Sequence, residues 1–156
     1  SFSGVMTLHV QSSDDLEITG LLNRYARAVD GQDWELWRSL FTEDAHIDYS
    51  SAGGLVGGRD AVAAWLERSL ALMPMTQHYI TNVEADITGD TATVRAMFYN
   101  PMLLPGAAST SACGGYYHHE LVRTENGWRS RQLREESLWF DNPPSADLRA
   151  AVKERA

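Results

Sequence analysis

The stretch Asp14-Asp15-Leu16-Glu17-Ile18-Thr19-Gly20-Leu21-Leu22-Asn23-Arg24-Tyr25-Ala26-Arg27-Ala28-Val29-Asp30-Gly31-Gln32-Asp33-Trp34 sets the course of the fold. Ile18, Leu22, Tyr25 and Val29 recur at the spacing of one helix face, and Asp14 with Glu17 three residues on has the spacing of a capping box. The helix ends near Gly31. Asp33 then caps a shorter helix in which Trp34, Trp37, Leu40 and Phe41 again follow the helical period, so the two helices form a hairpin.

Immediately downstream the period changes to two. Ala45, Ile47 and Tyr49 fall on one face and His46 and Asp48 on the other, the pattern of a half-exposed strand. Gly53, Gly54, Gly57 and Gly58 mark a turn-rich connection. A third helix follows over 60–73, with Val62, Trp65, Leu66, Ser69 and Leu70 on one side and Pro74 at its end. Strands are expected over 78–87, 91–100, 115–123 and 128–139, joined by turns at Gly89-Asp90 and Asn126-Gly127 and by a longer loop over 101–112. Residues 1–11 read as a tag remnant or disordered N-terminus, 12–142 as one domain, and 143–156 as a C-terminal tail or short helix. Helices first and strands later give an α+β fold, in which a curved, mainly antiparallel sheet wraps around the N-terminal helices as a cone with a pocket.

Composition narrows the function. The chain has 156 residues, with 13 Lys and Arg against 21 Asp and Glu for a net charge of −8, and is 44% hydrophobic, which supports one globular core and argues against bulk disorder. Apolar runs are too short to span a bilayer. An isoelectric point near 5.0 without a basic cluster offers nothing to a phosphate backbone, so neither nucleic acid nor membrane is an expected partner. A single cysteine, Cys113, excludes an internal disulfide framework and fits a reducing compartment, and with no basic, apolar leader at the start the expected location is cytoplasmic.

Several residues bear on chemistry. Asp30 ends the first helix at the edge of its buried stripe, where it reads either as a solvated helix-end carboxylate or as a functional one. A helix C-terminus is the wrong end for an anion, which argues for a compensating partner. His78 opens a strand and reads either as a surface histidine or as a proton carrier near neutrality. Tyr49 lies on the apolar face of its strand, so its hydroxyl needs an internal partner or a cavity. Tyr116 and His118 share one strand face and Tyr117 and His119 the other, so one Tyr/His pair points inward. No His-Glu-x-x-His, Cys-x-x-Cys, dinucleotide or phosphate-loop spacing occurs, so no metal and no cofactor is expected. Cys113 beside Gly114 reads as a packing residue.

The run from Arg24 to Asp30, Asp33-Trp34, Leu40-Phe41-Thr42-Glu43-Asp44-Ala45, Asp48-Tyr49, Gly57-Gly58-Arg59, Thr76-Gln77-His78, and Glu120-Leu121-Val122-Arg123 leading to Asn126-Gly127-Trp128 resembles the SnoaL-like branch of the nuclear transport factor 2-like superfamily over residues 14–140. Within it the pattern is most similar to scytalone dehydratase and to hexachlorocyclohexane dehydrochlorinase, cofactor-free eliminating enzymes with an Asp-His dyad. The resemblance implies Asp30 and His78 as that dyad and Tyr49 as a carbonyl-polarising tyrosine. It places a dehydratase asparagine on His118, which favours Tyr116 and His118 as the inward pair. The chain departs from the dehydratase at Val29, where a tyrosine would stand, and at Met102 beside Pro101, where a histidine would.

The expected function is a lyase or isomerase acting on a small hydrophobic cyclic or polyketide-like substrate, with Tyr25 joining Tyr116 and His118 around it in an apolar pocket built from Leu22, Trp37, Phe41, Trp65, Met97 and Met102. The competing readings are a non-catalytic binding module and the small structural subunit of a ring-hydroxylating dioxygenase. The back of the sheet is expected to serve self-association as a dimer or trimer.

Overall fold

A computed structural model describes the backbone of residues 2–155 and the side chains of 13–150. The N-terminal remnant expected over 1–11 and the last part of the expected tail lie outside the described side chains. Helix α1 (Phe2–Asp30) is followed by α2 (Trp34–Ser39), strand β1 (Phe41–Asp48), a 3-10 turn (Ser50–Ala52), β2 (Val56–Gly58), α3 (Arg59–Leu70) and β3 (Met75–Thr76). Four long strands come next, β4 (Tyr79–Thr88), β5 (Thr91–Leu103), β6 (Ser111–Thr124) and β7 (Gly127–Asp141), and α4 (Ala146–Arg155) closes the chain.

The strands form one curled sheet in the order β2-β1-β7-β6-β5-β3, with β4 also pairing with β5. All pairs are antiparallel except β1 with β7. The expected α+β architecture is therefore the observed one. Its core joins Ile18, Leu21, Leu22, Tyr25, Ala28 and Val29 of α1 to Val94, Ala96, Tyr117, Leu121, Trp128 and Leu133 of the sheet. The α1 set recurs every three or four residues, a stripe wide enough to cover the concave sheet face. Leu22, Trp37 and Phe41 are packed into this core.

Phe41, expected in the second helix, opens β1 instead, and four further local features differ from expectation, each for a physical reason. The first helix does not start at Asp14 but at Phe2, so Asp14 and Glu17 lie inside it and form no capping box. Asp14 accepts both Arg123 Nη atoms at 2.9 Å and Trp128 Nε1 at 3.1 Å, while Glu17 accepts the Trp128 backbone N–H at 3.0 Å. These acids are thus drawn across the interface to pin α1 to the β6–β7 hairpin. The Arg123 bonds hold the Asp14 carboxyl below its ordinary range.

Second, β5 and β6 extend beyond the expected strand ends, so the loop between them shrinks to 104–110. Pro101 is accommodated because strand pairing there needs only its carbonyl, which accepts Gln77 N–H at 3.0 Å. Third, the β6–β7 turn falls on Glu125-Asn126 rather than Asn126-Gly127, because Gly127, at a φ of +96°, already pairs with Thr124 as the first residue of β7. A Cβ at Gly127 would also meet Glu17 Oε1.

The fourth difference concerns the sheet face. Tyr117 and His119 are buried on the concave side, whereas Tyr116 and His118 point outward with Met97. His118 Nε2 bonds Glu136 Oε2 at 2.9 Å, and Arg95 lies over the Tyr116 ring at 4.0 Å. The inward assignment of Tyr116, His118 and Met97 is therefore corrected. The pleat is set by the apolar phase of Ala92, Val94, Ala96, Phe98 and Leu121, which must face α1.

Candidate active site

Asp30 closes α1 where the backbone leaves the helix through Gln32, at a left-handed φ of +51°. Its carboxylate collects three donors. Thr76 Oγ1 donates to Oδ1 at 3.0 Å, the His78 backbone N–H to Oδ2 at 2.7 Å, and His78 Nδ1 to Oδ1 at 2.6 Å. These contacts supply the compensation that an anion at a helix C-terminus requires.

A carboxylate can only accept, so Nδ1 carries the hydrogen and Nε2 of the neutral ring keeps its lone pair. Among the described residues no other group bonds the His78 ring. The His78 side chain is 9% exposed and that of Asp30 23%, so the pair is sheltered without being sealed.

The register of β5 places this pair. Thr76 pairs with Met102, Gln77 bonds Pro101, and Tyr79 pairs with Tyr99, which sets His78 opposite Asn100. Phe98, Asn100 and Met102 share the concave face of β5. Phe98 also lines a cavity of about 790 Å³, within the usual size of small-molecule sites, together with Trp65, Ser69, Cys113, Glu135 and Ser137. Asp30 and His78 do not line this cavity; Asn100, opposite His78 in the ladder, touches its wall through Cys113. Its Nδ2 reaches Cys113 Sγ at 3.9 Å, and its buried Oδ1 has no partner.

Of the residues expected around the ligand, Trp65 lines this cavity, while Tyr25, Tyr49 and Met102 are buried and do not line it. Tyr49 and Tyr25 share a hydroxyl hydrogen bond of 2.5 Å, and the Tyr25 and Tyr117 rings meet edge-on with centroids 5.2 Å apart. Burial pushes all three phenols well above their ordinary range, so they keep their protons. Burial likewise raises the Cys113 thiol to about 11, which leaves it a poor nucleophile. His119 donates from Nδ1 to Ser130 Oγ at 2.8 Å, since the Ser130 hydroxyl is itself spent on the Gln132 carbonyl. Burial holds the His119 ring neutral, with its pKa lowered to about 3.

Glu135 was missed by reading the sequence. It faces inward, directly across from Tyr117, and burial raises its carboxyl to about 7, with the Tyr117 hydroxyl drawing it partly back. Because this acid binds its proton more tightly in the folded state, the stability it confers is full below the ordinary value of 4.5 and is lost as pH rises to about 7. Glu135→Gln is therefore expected to be more stable than the parent above pH 7, by up to about 3 kcal/mol, in denaturant titrations across pH. His119 acts on the other flank, since its contribution is full above 6.5 and is lost as pH falls toward about 3. Equal pH profiles for parent and Glu135→Gln would contradict the assignment.

A curled mixed sheet packed on N-terminal helices, with a cavity on its concave side, defines the nuclear transport factor 2-like class of cone folds. Within that class the chain belongs to the SnoaL-like domain family, whose model matches residues 10–134. It is 37% identical over 118 residues to the uncharacterized protein Rv2910c of Mycobacterium tuberculosis, covering 75% of this chain and 80% of that one. A structure from Novosphingobium aromaticivorans, described as a candidate aromatic ring hydroxylase, superposes with a TM-score of 0.74 at 30% identity, covering 87% of this chain and 96% of that one. A candidate scytalone dehydratase from the same organism superposes at 0.75 with 20% identity, covering 86% and 93%, a likeness that shows the fold alone. The same holds for a hexachlorocyclohexane dehydrochlorinase, at 0.73 with 18% identity, covering 86% and 94%. Among the described residues no helix is long and apolar enough to cross a membrane.

Proposed function

We propose that this chain is a cofactor-independent lyase of the dehydratase kind, or an isomerase, acting on a small hydrophobic cyclic or polyketide-like molecule by Asp30/His78 acid–base chemistry. The observation that carries this reading is the 2.6 Å bond between His78 Nδ1 and Asp30 Oδ1. Asp30 fixes the ring tautomer and stabilises the imidazolium, so Nε2 removes a proton from carbon alpha to a carbonyl. The electron pair passes into an enolate, and for a hydroxyl of the Tyr49/Tyr25 pair to stabilise its oxygen the ligand must reach past Trp65, whose ring lies 6.2 Å from that of Tyr49. A lyase then expels a β-substituent from the enolate, whereas an isomerase returns the proton at another carbon.

The test is exchange of the α-protons of 1-indanone in heavy water, followed by NMR, alongside a panel of cyclic β-hydroxy ketones assayed for loss of water. The parent should exchange or eliminate far faster than His78→Ala. Equal rates for the two proteins throughout would contradict the reading.

Self-association through the convex face is part of the same proposal. Tyr79, Tyr99 and Trp139 form an exposed aromatic ladder across β4, β5 and β7, with ring centroids 5.9 and 6.0 Å apart, and Met97 lies exposed on the same face. Trp139 reaches Tyr99 across Gly114, where a Cβ would stand 2.5 Å from the indole. An exposed apolar cluster of this kind favours a partner surface, and a dimer or trimer is expected. Sedimentation of the parent should give the oligomer, and the double variant Tyr99→Lys/Trp139→Glu the monomer. A monomeric parent at high concentration would contradict it.

A further inference from the structure

Glu135 is not needed by the Asp30/His78 chemistry, and its placement is costly. It stands in a cavity wall with Trp65, Phe98 and Cys113, directly across from Tyr117, and among the described residues no ion pair to it is formed. An apolar side chain of similar size would fill that wall at less cost than a desolvated carboxyl. Something that enters the cavity must use the group.

We propose that the Glu135 carboxyl, set in the cavity wall across from Tyr117, is the hydrogen-bond donor by which the cavity holds an uncharged oxygen of its ligand, so that the ligand is a cyclic carbonyl or ether compound with that oxygen directed at β7. This rests on the reading of the cavity as the ligand site and adds a second polar anchor to it.

The groups around Glu135 support the assignment. Tyr117 and Cys113 face it from β6, Tyr25 from α1 and Tyr49 from the end of β1, and burial keeps all four protonated at neutral pH. Arg68 of α3 and Arg149 of α4 line the same cavity. Glu135, raised by burial to about 7, is therefore the member of this set whose charge changes near neutrality. Below that point it donates to a carbonyl. Above it, the carboxylate repels one.

The test is calorimetric binding of 1-indanone, which can only accept a hydrogen bond, and of indane, which can do neither. Both are titrated into the full chain at about pH 5.5 and about pH 8.5, on either side of the Glu135 midpoint. The parent should bind 1-indanone about tenfold more tightly at the lower pH and indane equally at both. Glu135→Gln, whose amide N–H donates at any pH, should bind 1-indanone without pH dependence. Glu135→Leu should lose about tenfold at the lower pH.

Infrared difference spectra should show a protonated carboxyl band at the lower pH that is missing from Glu135→Gln, a readout that holds even if Glu135→Leu does not fold. His78→Ala separates this inference from the dyad, because loss of α-proton exchange with pH-dependent binding retained leaves Glu135 in place. Absence of 1-indanone binding at the lower pH, pH-independent binding by the parent, or equal losses in the Gln and Leu variants would overturn it.

Discussion

His78→Ala is expected to lower turnover by about two to four orders of magnitude while leaving the fold intact. The reason lies in how Asp30 is satisfied. When the imidazole is removed, the carboxylate keeps the Thr76 hydroxyl at 3.0 Å and the His78 backbone N–H at 2.7 Å, so no bare buried charge remains. Activity and stability therefore separate in this variant. Asp30→Asn should behave differently, since a single amide oxygen cannot serve three donors at two acceptor positions. Its amide N–H group must face another donor, at a cost of about 1–3 kcal/mol, and turnover should fall by a similar two to four orders of magnitude, roughly. Steady-state rates together with denaturant titrations of both variants check the pair of outcomes. A variant that loses stability and activity in proportion would point to a merely structural contact.

Asp14→Ala carries the largest expected loss of stability, about 3 kcal/mol. Asp14 is buried, and its two oxygens take both Arg123 Nη atoms and the indole N–H of Trp128. Removing it strands a guanidinium stacked 4.5 Å from the Trp128 ring and leaves the fully buried indole without its acceptor. Arg123 retains Asp90 at 3.0 Å and is partly exposed, which keeps the loss below that of a sealed pair. Urea unfolding at neutral pH measures it, with Asp14→Asn as the milder control. A change of less than about 0.5 kcal/mol would show that α1 is held to the hairpin by apolar packing alone.

The fold was legible because long periodic segments carry it. The α1 stripe from Ile18 to Val29 and the alternation of β5 each leave one packing solution, and both appear as read. Asp30 was legible for a related reason, since a carboxylate at the wrong end of a helix dipole demands a partner. What the sequence concealed is long-range. No local pattern reveals that Asp14 and Glu17 lie inside α1 and serve Arg123 and Trp128, more than a hundred positions away, rather than capping a helix.

Glu135 was hidden by the bulges of β7. Trp128 and Ser130 point inward, and simple alternation would then turn Gln132, Arg134 and Glu136 inward as well. Arg131 is the extra residue at the shift opposite Glu120/Leu121, so the phase flips and Leu133, Glu135 and Ser137 face the concave side. A second shift, opposite Gly114/Gly115, flips it again and brings Phe140 to the cavity. The choice between Tyr116/His118 and Tyr117/His119 was open in the strand itself, and Leu121, in phase with Tyr117 and His119, was the signal that resolves it.

The central claim is that Asp30 holds His78 with its proton on Nδ1 and a free lone pair on Nε2. The most direct measurement is the nitrogen-15 NMR spectrum of the His78 ring in its neutral form, read in the parent and in Asp30→Asn. The account predicts a protonated Nδ1 and a bare Nε2 in the parent, with that preference lost in Asp30→Asn. A parent ring protonated at Nε2, or a tautomer indifferent to Asp30→Asn, would contradict it.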